Sequence, residues 1–416
     1  MVLGSFLRFD GQESNGGKTL ILRKFLSQLR ALAGVIHGRR IFGGPIQANL
    51  TLANRCNLKC IHCYYHSPLL ERPNYRGVRL ARQINEQLPD DEYFNQQKKI
   101  TFNRKGMEKI LDELIKSGIY RFFLSGNGEP FLNKYSIDIM KKIKKANCYC
   151  LVKTNGTLLS KKITDELIHM KFDELHITTM AGNRDMYIRT HSCVPQETFD
   201  SVKNNLLYLA EQKKKLHTNK PQVSLIYVVI SENYSGLYDF AEFAYKVQAD
   251  RVFIQPVDEM GDTGLKRLVL TEKQTEYVRE EAVKLKNYFK SKKIKHNIDK
   301  FLKIFSAQLD TREVYRLIPC YYAWLSVLID IDGNVYPCYS SYRSMGNIYE
   351  NSFNDIWNSE HYRLFREKSL KLNCSDKSDS ICDYGSCPHY TANMKLHKMI
   401  DPVKKVFSHN YILRNS

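Results

Sequence analysis

The 416-residue chain lacks any run of eighteen or more apolar residues, and its longest stretches, such as Ala31–Ile36 and Val223–Ile230, are far too short to cross a bilayer. A membrane-spanning chain is not expected. Glycine and proline, at 21 and 12 residues, are not in excess, which excludes collagen-like and low-complexity classes. Acidic residues are the scarce charge: 44 Asp and Glu against 63 Lys and Arg give +19. Such a surface attracts anions, whether phosphorylated substrates, nucleic acid or a membrane face, and says nothing about fold. No charged segment followed by an apolar stretch and a small-residue cleavage site opens the sequence, so the expected compartment is the cytoplasm.

What is present is an ordinary globular composition, 43% hydrophobic and 12% aromatic, with chain enough for one large domain or two ordinary ones. Eleven cysteines, an odd number, in a reducing compartment point to metal or redox chemistry more than to disulfides.

Residues 1–46 form a basic extension. The spacing predicts a helix over Leu20–Ile36 with Leu22, Phe25, Leu26, Leu29 and Ala33 on one face, packed on the main domain. Arg23, Lys24, Arg30, Arg39 and Arg40 leave membrane-surface contact as the alternative. Gly11–Thr19 imitates a phosphate-binding loop, but five residues stand between the glycines where the motif needs four, so it reads as a flexible loop.

From Ala48 to Gln255 strand-like and helix-like segments alternate. Strands are expected over 48–53, 120–125, 149–154, 174–179, 223–230 and 251–255, with helices near 104–117, 135–146, 161–169, 198–210 and 237–247. This alternation predicts an α/β fold, a partial (β/α)6 barrel or open sheet of parallel strands spanning 47–260, with ligands at the strands' carboxyl ends. A helical connector over 261–319 follows, opened by a Thr271/Gln274 capping box and continued by a helix near 299–309. Residues 320–397 are cysteine-rich and irregular, as in a small domain held by metal, and 398–416 form a tail. The 65–100 loop has no assigned role.

Right after the first strand stands Cys56-Asn57-Leu58-Lys59-Cys60-Ile61-His62-Cys63, a C-x3-C-x2-C loop. Thiolates in this pattern select zinc or an iron–sulfur cluster, and His62 or His66 could complete a zinc site. Three cysteines on a four-iron cluster leave one iron open, which is what a catalytic centre needs. The loop resembles the defining motif of the radical S-adenosylmethionine (SAM) superfamily. The resemblance implies that Cys56, Cys60 and Cys63 are both metal ligands and the catalytic centre. They would bind a 4Fe-4S cluster whose unique iron chelates SAM and whose electron splits SAM to a 5′-deoxyadenosyl radical that abstracts a substrate hydrogen. Flavodoxin or ferredoxin would be the electron donor.

Supporting positions follow at later strand ends. Gly126-Asn127-Gly128-Glu129-Pro130 resembles the family's GGEP motif, with Asn127 in place of a glycine. The resemblance implies that Gly126, Asn127, Gly128 and Glu129 meet the methionine ammonium, and that Thr154-Asn155-Gly156 meets the ribose. Thr178 or Thr179 is a candidate for facing the cofactor. Arg184, Arg189 and His191 are candidates for an anion, and Ser224–Asn233 with Gln255 and Pro256 for adenine and methionine. Tyr187, His191, Asp258 and Glu259 are positional candidates for acid–base work.

Near the C-terminus, Cys320, Gly333 and Cys338 read as C-x12-G-x4-C around a predicted Asp-Gly hairpin over 329–337, and Cys374, Cys382 and Cys387 close the run. This resembles the SPASM extension of radical enzymes. A full extension with two clusters needs more cysteines, so the expectation is one auxiliary 4Fe-4S cluster on Cys320, Cys338, Cys382 and Cys387, with Cys374 as spare. A zinc-ribbon-like knuckle is the plainer alternative. Cys148, Cys150 and Cys193 have no metal spacing and are expected as buried core thiols.

The functional expectation is a radical enzyme that oxidises, epimerises or couples an anionic small molecule, such as a phosphorylated or nucleotide-linked sugar. A peptide- or protein-modifying radical enzyme is the first alternative. A non-catalytic, metal-bound nucleic-acid module would explain charge and cysteines but not the placement of GNGEP.

Overall fold

The computed structural model describes residues 18–70, 104–257, 264–306, 317–339, 343–371 and 389–415, together with 315, 341 and 387. Its first part runs α1 (Lys18–His37), β1 (Gln47–Thr51), β2 (Lys59–Cys60), α2 (Arg104–Lys116), β3 (Arg121–Ser125), α3 (Ser136–Lys145), β4 (Tyr149–Thr154) and α4 (Lys161–His169). Then come β5 (Glu174–Thr178), α5 (Arg184–Thr190), β6 (His191–Ser192), α6 (Thr198–Lys215), β7 (Gln222–Val229), α7 (Leu237–Lys246) and β8 (Arg251–Pro256). The chain continues through α8 (Glu272–Ser291), β9 (Lys295–His296), α9 (Ile298–Ser306), α10 (Tyr322–Leu325), β10 (Ser326–Ile329) and β11 (Val335–Tyr336), to α11 (Phe353–Asn358), α12 (Glu360–Leu370) and α13 (Tyr390–Asn415).

Local chemistry sets the helices where apolar spacing places them. In α2, Met107, Ile110, Leu111 and Leu114 fall on one buried stripe. Ser160 caps α4 by accepting from the Ile163 amide, and Asn183 caps α5 by accepting from Met186. The expected capping box is present: the Thr271 hydroxyl accepts from the Gln274 amide at 3.3 Å while the Gln274 side chain accepts from the Thr271 amide at 2.9 Å.

The strands β1, β3, β4, β5, β7 and β8 lie side by side in chain order, every pair parallel, as the βα alternation requires. Together with their helices they make the expected partial barrel. One face of the sheet carries Leu50, Leu124, Val152, Leu175, Leu225 and Val252, all fully buried beneath the helices. The other face carries Asn49, Lys153, His176, Ser224 and Arg251, the last four in mutual register. This inner face is polar where a sheet packed on both faces would be apolar throughout. Low in the barrel lumen Glu174 accepts from Tyr149, from Ser224 and Arg251 (2.8 and 2.9 Å) and pairs with His176.

The sheet extends beyond the six expected strands to nine. β9 pairs with β8, and β10, from the cysteine-rich segment, pairs in parallel with β1, from Gln47↔Ser326 to Leu50↔Ile329. Asn49 on β1 donates to Ser326 Oγ and Val327 O at 2.9 and 3.0 Å. The β10–β11 hairpin turns as predicted, with Gly333 at φ +88°, a conformation that favours glycine, and its amide bonded to Asp330 O. The segment expected to stand apart thus shares the main core: Trp324, Val327, Ile356 and Trp357 belong to the same buried cluster as the barrel. Trp357 donates to Gly43 O, and buried Arg366 stacks over the rings of Trp357 and Tyr362 while donating to the Trp357 carbonyl.

Two expectations require correction. The stripe of α1 expected to pack inward is outward: Leu22, Phe25, Leu26 and Leu29 are exposed, and the buried side carries Leu20, Ser27, Gln28, Ala31 and Val35. Small residues win that side because the helix lies close on its neighbours; a Cβ on Gly34 would stand 2.9 Å from the Trp324 ring. Cys193 is exposed, in a left-handed turn after β6, whereas Cys148 and Cys150 are buried thiols as expected.

Candidate active site

The three-cysteine loop follows β1 at the carboxyl end of the sheet, where parallel strands place ligands. It is braced by a two-residue antiparallel ladder in which Cys60 pairs with His191 and Lys59 with Ser192, extended by Ile61 N–H to Thr190 O at 3.1 Å. Cys63 N–H donates to Cys60 O and Ser67 N–H to Cys63 O, so the chain coils round the last cysteine. The Tyr65 amide donates to Cys63 Sγ at 3.4 Å.

The GNGEP segment packs backbone to backbone against the entrance to this loop. A Cβ on Gly128 would stand 2.0 Å from the Arg55 carbonyl oxygen, and one on Gly126 2.6 Å from that of Ala53. Only glycine fits at either place. The glycines thus serve this close approach, and the Glu129 amide seals it by donating to Arg55 O at 2.8 Å. Asn127, where the family has glycine, donates to the Asn54 side chain at 3.0 Å, and its carbonyl bonds His66 Nε2 at 2.7 Å.

Glu129 ties two strand ends together. It accepts from Thr154 Oγ1 (2.7 Å), the Asn155 amide (2.8 Å) and the Phe131 amide (3.2 Å). Asn155 then donates to Asn57 Oδ1 at 2.9 Å and to Cys56 Sγ at 3.9 Å. The expected positions Cys56, Gly126, Asn127, Gly128, Glu129, Thr154 and Asn155 therefore form one connected network.

Burial raises the Cys56 thiol to about 11 and lifts Cys60 and Cys63 too; in Cys60 the other two cysteines add to the effect. Three such thiols are poor thiolates alone and need a cation or cluster to hold them deprotonated. Among the described residues no three Cys, His, Asp or Glu side chains close on a single ion. Nearby, His62 Nδ1, Tyr187 Oη, His191 Nε2 and Thr179 Oγ1 are buried without a hydrogen-bond partner among the described residues. Burial, then the charges of Cys60, Cys56 and Glu129, raise the Tyr187 hydroxyl. His191, stacked on Tyr187 at 4.0 Å, is held down to about 4 by burial, and His62 to about 3 by burial and His191. Orphaned polar groups beside three thiols fit a polar, electron-rich group such as an iron–sulfur cluster with SAM.

Other expected residues separate from this network. Arg184 is turned outward and paired with Asp200, and Arg189 is exposed, because both lie on the solvent side of α5 whose inner side carries Met186 and Tyr187. His191 points inward with Nδ1 on Tyr187 O at 2.9 Å. Thr178 is half-buried at the end of β5, on the lumen face with His176. Asp258 and Glu259 lie outside the described residues.

Sequence reasoning missed Lys153, on the lumen face of β4 beside His176. Its side chain is exposed, and partial desolvation by the strands beside it lowers its pKa. Among the described residues it has no anionic partner. The signal was a lysine at the third alternate position of Tyr149-Cys150-Leu151-Val152-Lys153, inside a buried parallel strand.

The C-terminal cysteines are brought together from afar. Cys320, Cys338 and Cys387 lie near enough that the latter two add to the burial that raises Cys320. Asn393 on α13 clamps the site: its Nδ2 donates to Tyr315 Oη (2.7 Å) and Cys320 Sγ (3.6 Å), and its Oδ1 accepts from the Tyr321 amide. Tyr315 Oη is 3.0 Å from Cys387 Sγ. Cys374 and Cys382 lie outside the described residues. The Tyr339 hydroxyl, next to Cys338, bonds Ser125 Oγ at 2.7 Å, joining this region to the start of GNGEP.

Comparison with known proteins agrees with this layout. The radical SAM superfamily profile matches residues 50–244, and the SPASM iron–sulfur cluster-binding domain profile matches 320–388. A tungsten-containing aldehyde ferredoxin oxidoreductase cofactor-modifying protein of Pyrococcus furiosus is 26% identical over 301 residues, 66% of this chain and 79% of its own. The antilisterial bacteriocin subtilosin biosynthesis protein AlbA of Bacillus subtilis is 25% identical over 325 residues; the match spans 77% of this chain but only 61% of AlbA. Streptococcus suis SuiB bound to S-adenosylmethionine shares the fold with a TM-score of 0.56 at 14% identity, covering 82% of this chain and 72% of SuiB. The structure of anSMEcpe with bound AdoMet does so with a TM-score of 0.54 at 16% identity, covering 88% and 100%. From motif, fold and both domains, the chain belongs to the radical SAM superfamily, as an iron–sulfur enzyme that uses a 4Fe-4S cluster with SAM and carries a SPASM domain for auxiliary iron–sulfur.

Proposed function

We propose that this enzyme modifies a peptide or protein side chain and seats an acidic group of that substrate at Lys153. Relatives favour a peptide over the sugar expected from charge: AlbA is named for bacteriocin biosynthesis, and SuiB, of the same fold, has been solved with its precursor peptide SuiA. The observation that carries the anionic contact is Lys153, an exposed cation on the inner face of the sheet without an anionic partner among the described residues.

In this reading Cys56, Cys60 and Cys63 ligate the barrel cluster, which supplies the electron for reductive cleavage of SAM. Glu129 holds the Thr154 and Asn155 strand end against the cysteine loop, so that Asn127, Asn155 and the nearby backbone present donors and acceptors to SAM. Tyr187 offers its unpartnered hydroxyl on the cysteine side. One auxiliary 4Fe-4S cluster sits on Cys320, Cys338, Cys387 and Cys382, with Cys374 as the substitute for the last.

The test uses anaerobically reconstituted full chain with SAM and dithionite. Peptides with and without Asp or Glu are scored by 5′-deoxyadenosine release above the substrate-free background and by product mass. Acidic peptides are expected to stimulate release, and Lys153→Met to raise KM about tenfold with kcat changed less than twofold. Stimulation by nucleotide-linked sugars and by no peptide would return the small-molecule reading to first place.

A further inference from the structure

The amphipathicity of α1 is inverted. Around the helix Ile21, Leu32, Phe25, Ile36, Leu29, Leu22, Ala33 and Leu26 form one continuous apolar sector; Leu32 and Ile36 pack against the core, whereas Ile21 (60% exposed), Leu22 (58%), Phe25 (47%), Leu26 and Leu29 face away from the protein. Phe42, just beyond the helix, is exposed as well. The side toward the barrel carries Ser27 and Gln28, each with a buried polar atom lacking a partner among the described residues. A helix that only covered a core would bury the opposite sector.

Basic residues predominate around it, although Arg39 also pairs with Glu367 at 3.1 Å and Arg23 turns inward onto Ala146 O and Cys148 Sγ. Between Glu13 and Glu71 the chain has no acidic residue, while Arg23, Lys24, Arg30, Arg39 and Arg40 lie on or beside α1. Position matters too. Arg23 donates to Ala146 O, just before β4, Gly44 N–H donates to Ser117 O, before β3, and Gly34 rests on Trp324, before β10. α1 therefore crosses the amino ends of the strands, opposite the cysteine loop.

We propose that α1 lies in the plane of an anionic lipid bilayer, its apolar sector in the acyl boundary and its basic residues on the headgroups. Twenty residues give a helix of about 30 Å that rests on a surface without crossing it. Charge complementarity selects this occupant. A second copy docked through the same face would set basic flank against basic flank, whereas an anionic surface gains from the exposed cations, Arg39 and Arg40 among them. The candidate active site then opens away from the bilayer, so the helix anchors the enzyme and leaves substrate to arrive from the aqueous side.

Flotation of the full chain with vesicles decides it. Vesicles of phosphatidylcholine with 30% phosphatidylglycerol are expected to carry most of the protein at 50 mM salt. Pure phosphatidylcholine, or 500 mM salt, should carry at least fivefold less. The variant Leu22→Ser/Phe25→Ser/Leu29→Ser should lose at least tenfold while keeping iron content and substrate-free SAM cleavage, and Arg39→Gln/Arg40→Gln should lose a few-fold. The proposal is overturned by wild-type protein that stays off anionic vesicles at 50 mM salt, or by a triple-serine variant that floats unchanged. It is equally overturned if only a chain lacking residues 1–17 floats, since that segment would then be the occupant. A dimer that the serine variant makes monomeric, with no flotation, would give the face to a second copy.

Discussion

The two cysteine sites are built by opposite means. In the barrel, three cysteines fall within eight residues of one loop, held by hydrogen bonds between near neighbours and by one short ladder. In the C-terminal region, Cys320, Cys338 and Cys387 are spread over the chain and meet only through long-range contacts, Cys320 N–H to Ser369 O and Asn393 to Cys320 and Tyr315 among them. A local site costs little chain entropy to form and can exist before metal arrives. A site closed by distant segments leans on its metal, because binding free energy there is folding free energy.

The sharpest break of this comparison is to delete each set. Cys56→Ala/Cys60→Ala/Cys63→Ala should lower SAM cleavage at least a hundredfold while moving Tm little. Cys320→Ala/Cys338→Ala should leave substrate-free cleavage largely intact but lose about half the iron and several degrees of Tm. Iron analysis, 5′-deoxyadenosine release and thermal unfolding read all three quantities. Equal loss of Tm in both variants would erase the distinction.

Next in size is the brace between strand ends. Glu129→Ala removes three hydrogen bonds at a buried carboxylate and should weaken SAM binding about ten- to a hundredfold by calorimetry, with Glu129→Gln intermediate. In the other site Asn393→Ala should leave SAM binding alone and make residues near Cys387 cleavable by protease at lower temperature.

A smaller effect concerns the floor of the lumen. Burial alone would raise Glu174, but the hydrogen bond and charge of His176, the hydrogen bond from Tyr149 and the charge of Arg251 overcome it and hold its pKa at about 2. His176 is itself lowered by burial, against the opposing pull of the Glu174 carboxylate. A carboxyl held below its unfolded value stabilises the fold above the unfolded pKa, and that stability is lost as pH falls from about 4.5 toward about 2, on the order of 3 kcal/mol. Glu174→Gln should flatten denaturation curves across that window; an unchanged slope would assign acid lability elsewhere. The smallest effect separates surface from core: exposed Cys193 should react with a maleimide within minutes in the folded chain, and buried Cys148 and Cys150 only on unfolding.

The barrel was legible in sequence because alternation of period-two and helical patterns is local, and strand bounds fall within about two residues of those expected. So was the three-cysteine loop, whose spacing is itself the motif. Contacts that depend on distant chain were not legible: β10 beside β1, Asn393 on Cys320, and Tyr339 on Ser125. The face of α1 misled for a physical reason. Apolar periodicity tells which residues share a side of a helix, but not whether that side meets the protein or something else. Lys153 was visible as a letter and overlooked, since a charge in a buried strand has meaning only once the strand is known to border a lumen.

The pairing of β1 with β10 also bears on how the chain is made. The first strand of the sheet must wait for residues 326–329 before its outer edge is satisfied. At about 5–20 residues per second, the nascent protein carries an open strand edge for roughly 15–60 seconds. An exposed edge of Gln47-Ala48-Asn49-Leu50-Thr51 is a template for mispairing throughout that time. Yield in the cell should therefore depend on translation speed and chaperone supply, and slowing the ribosome between these two strands would lengthen the period of risk.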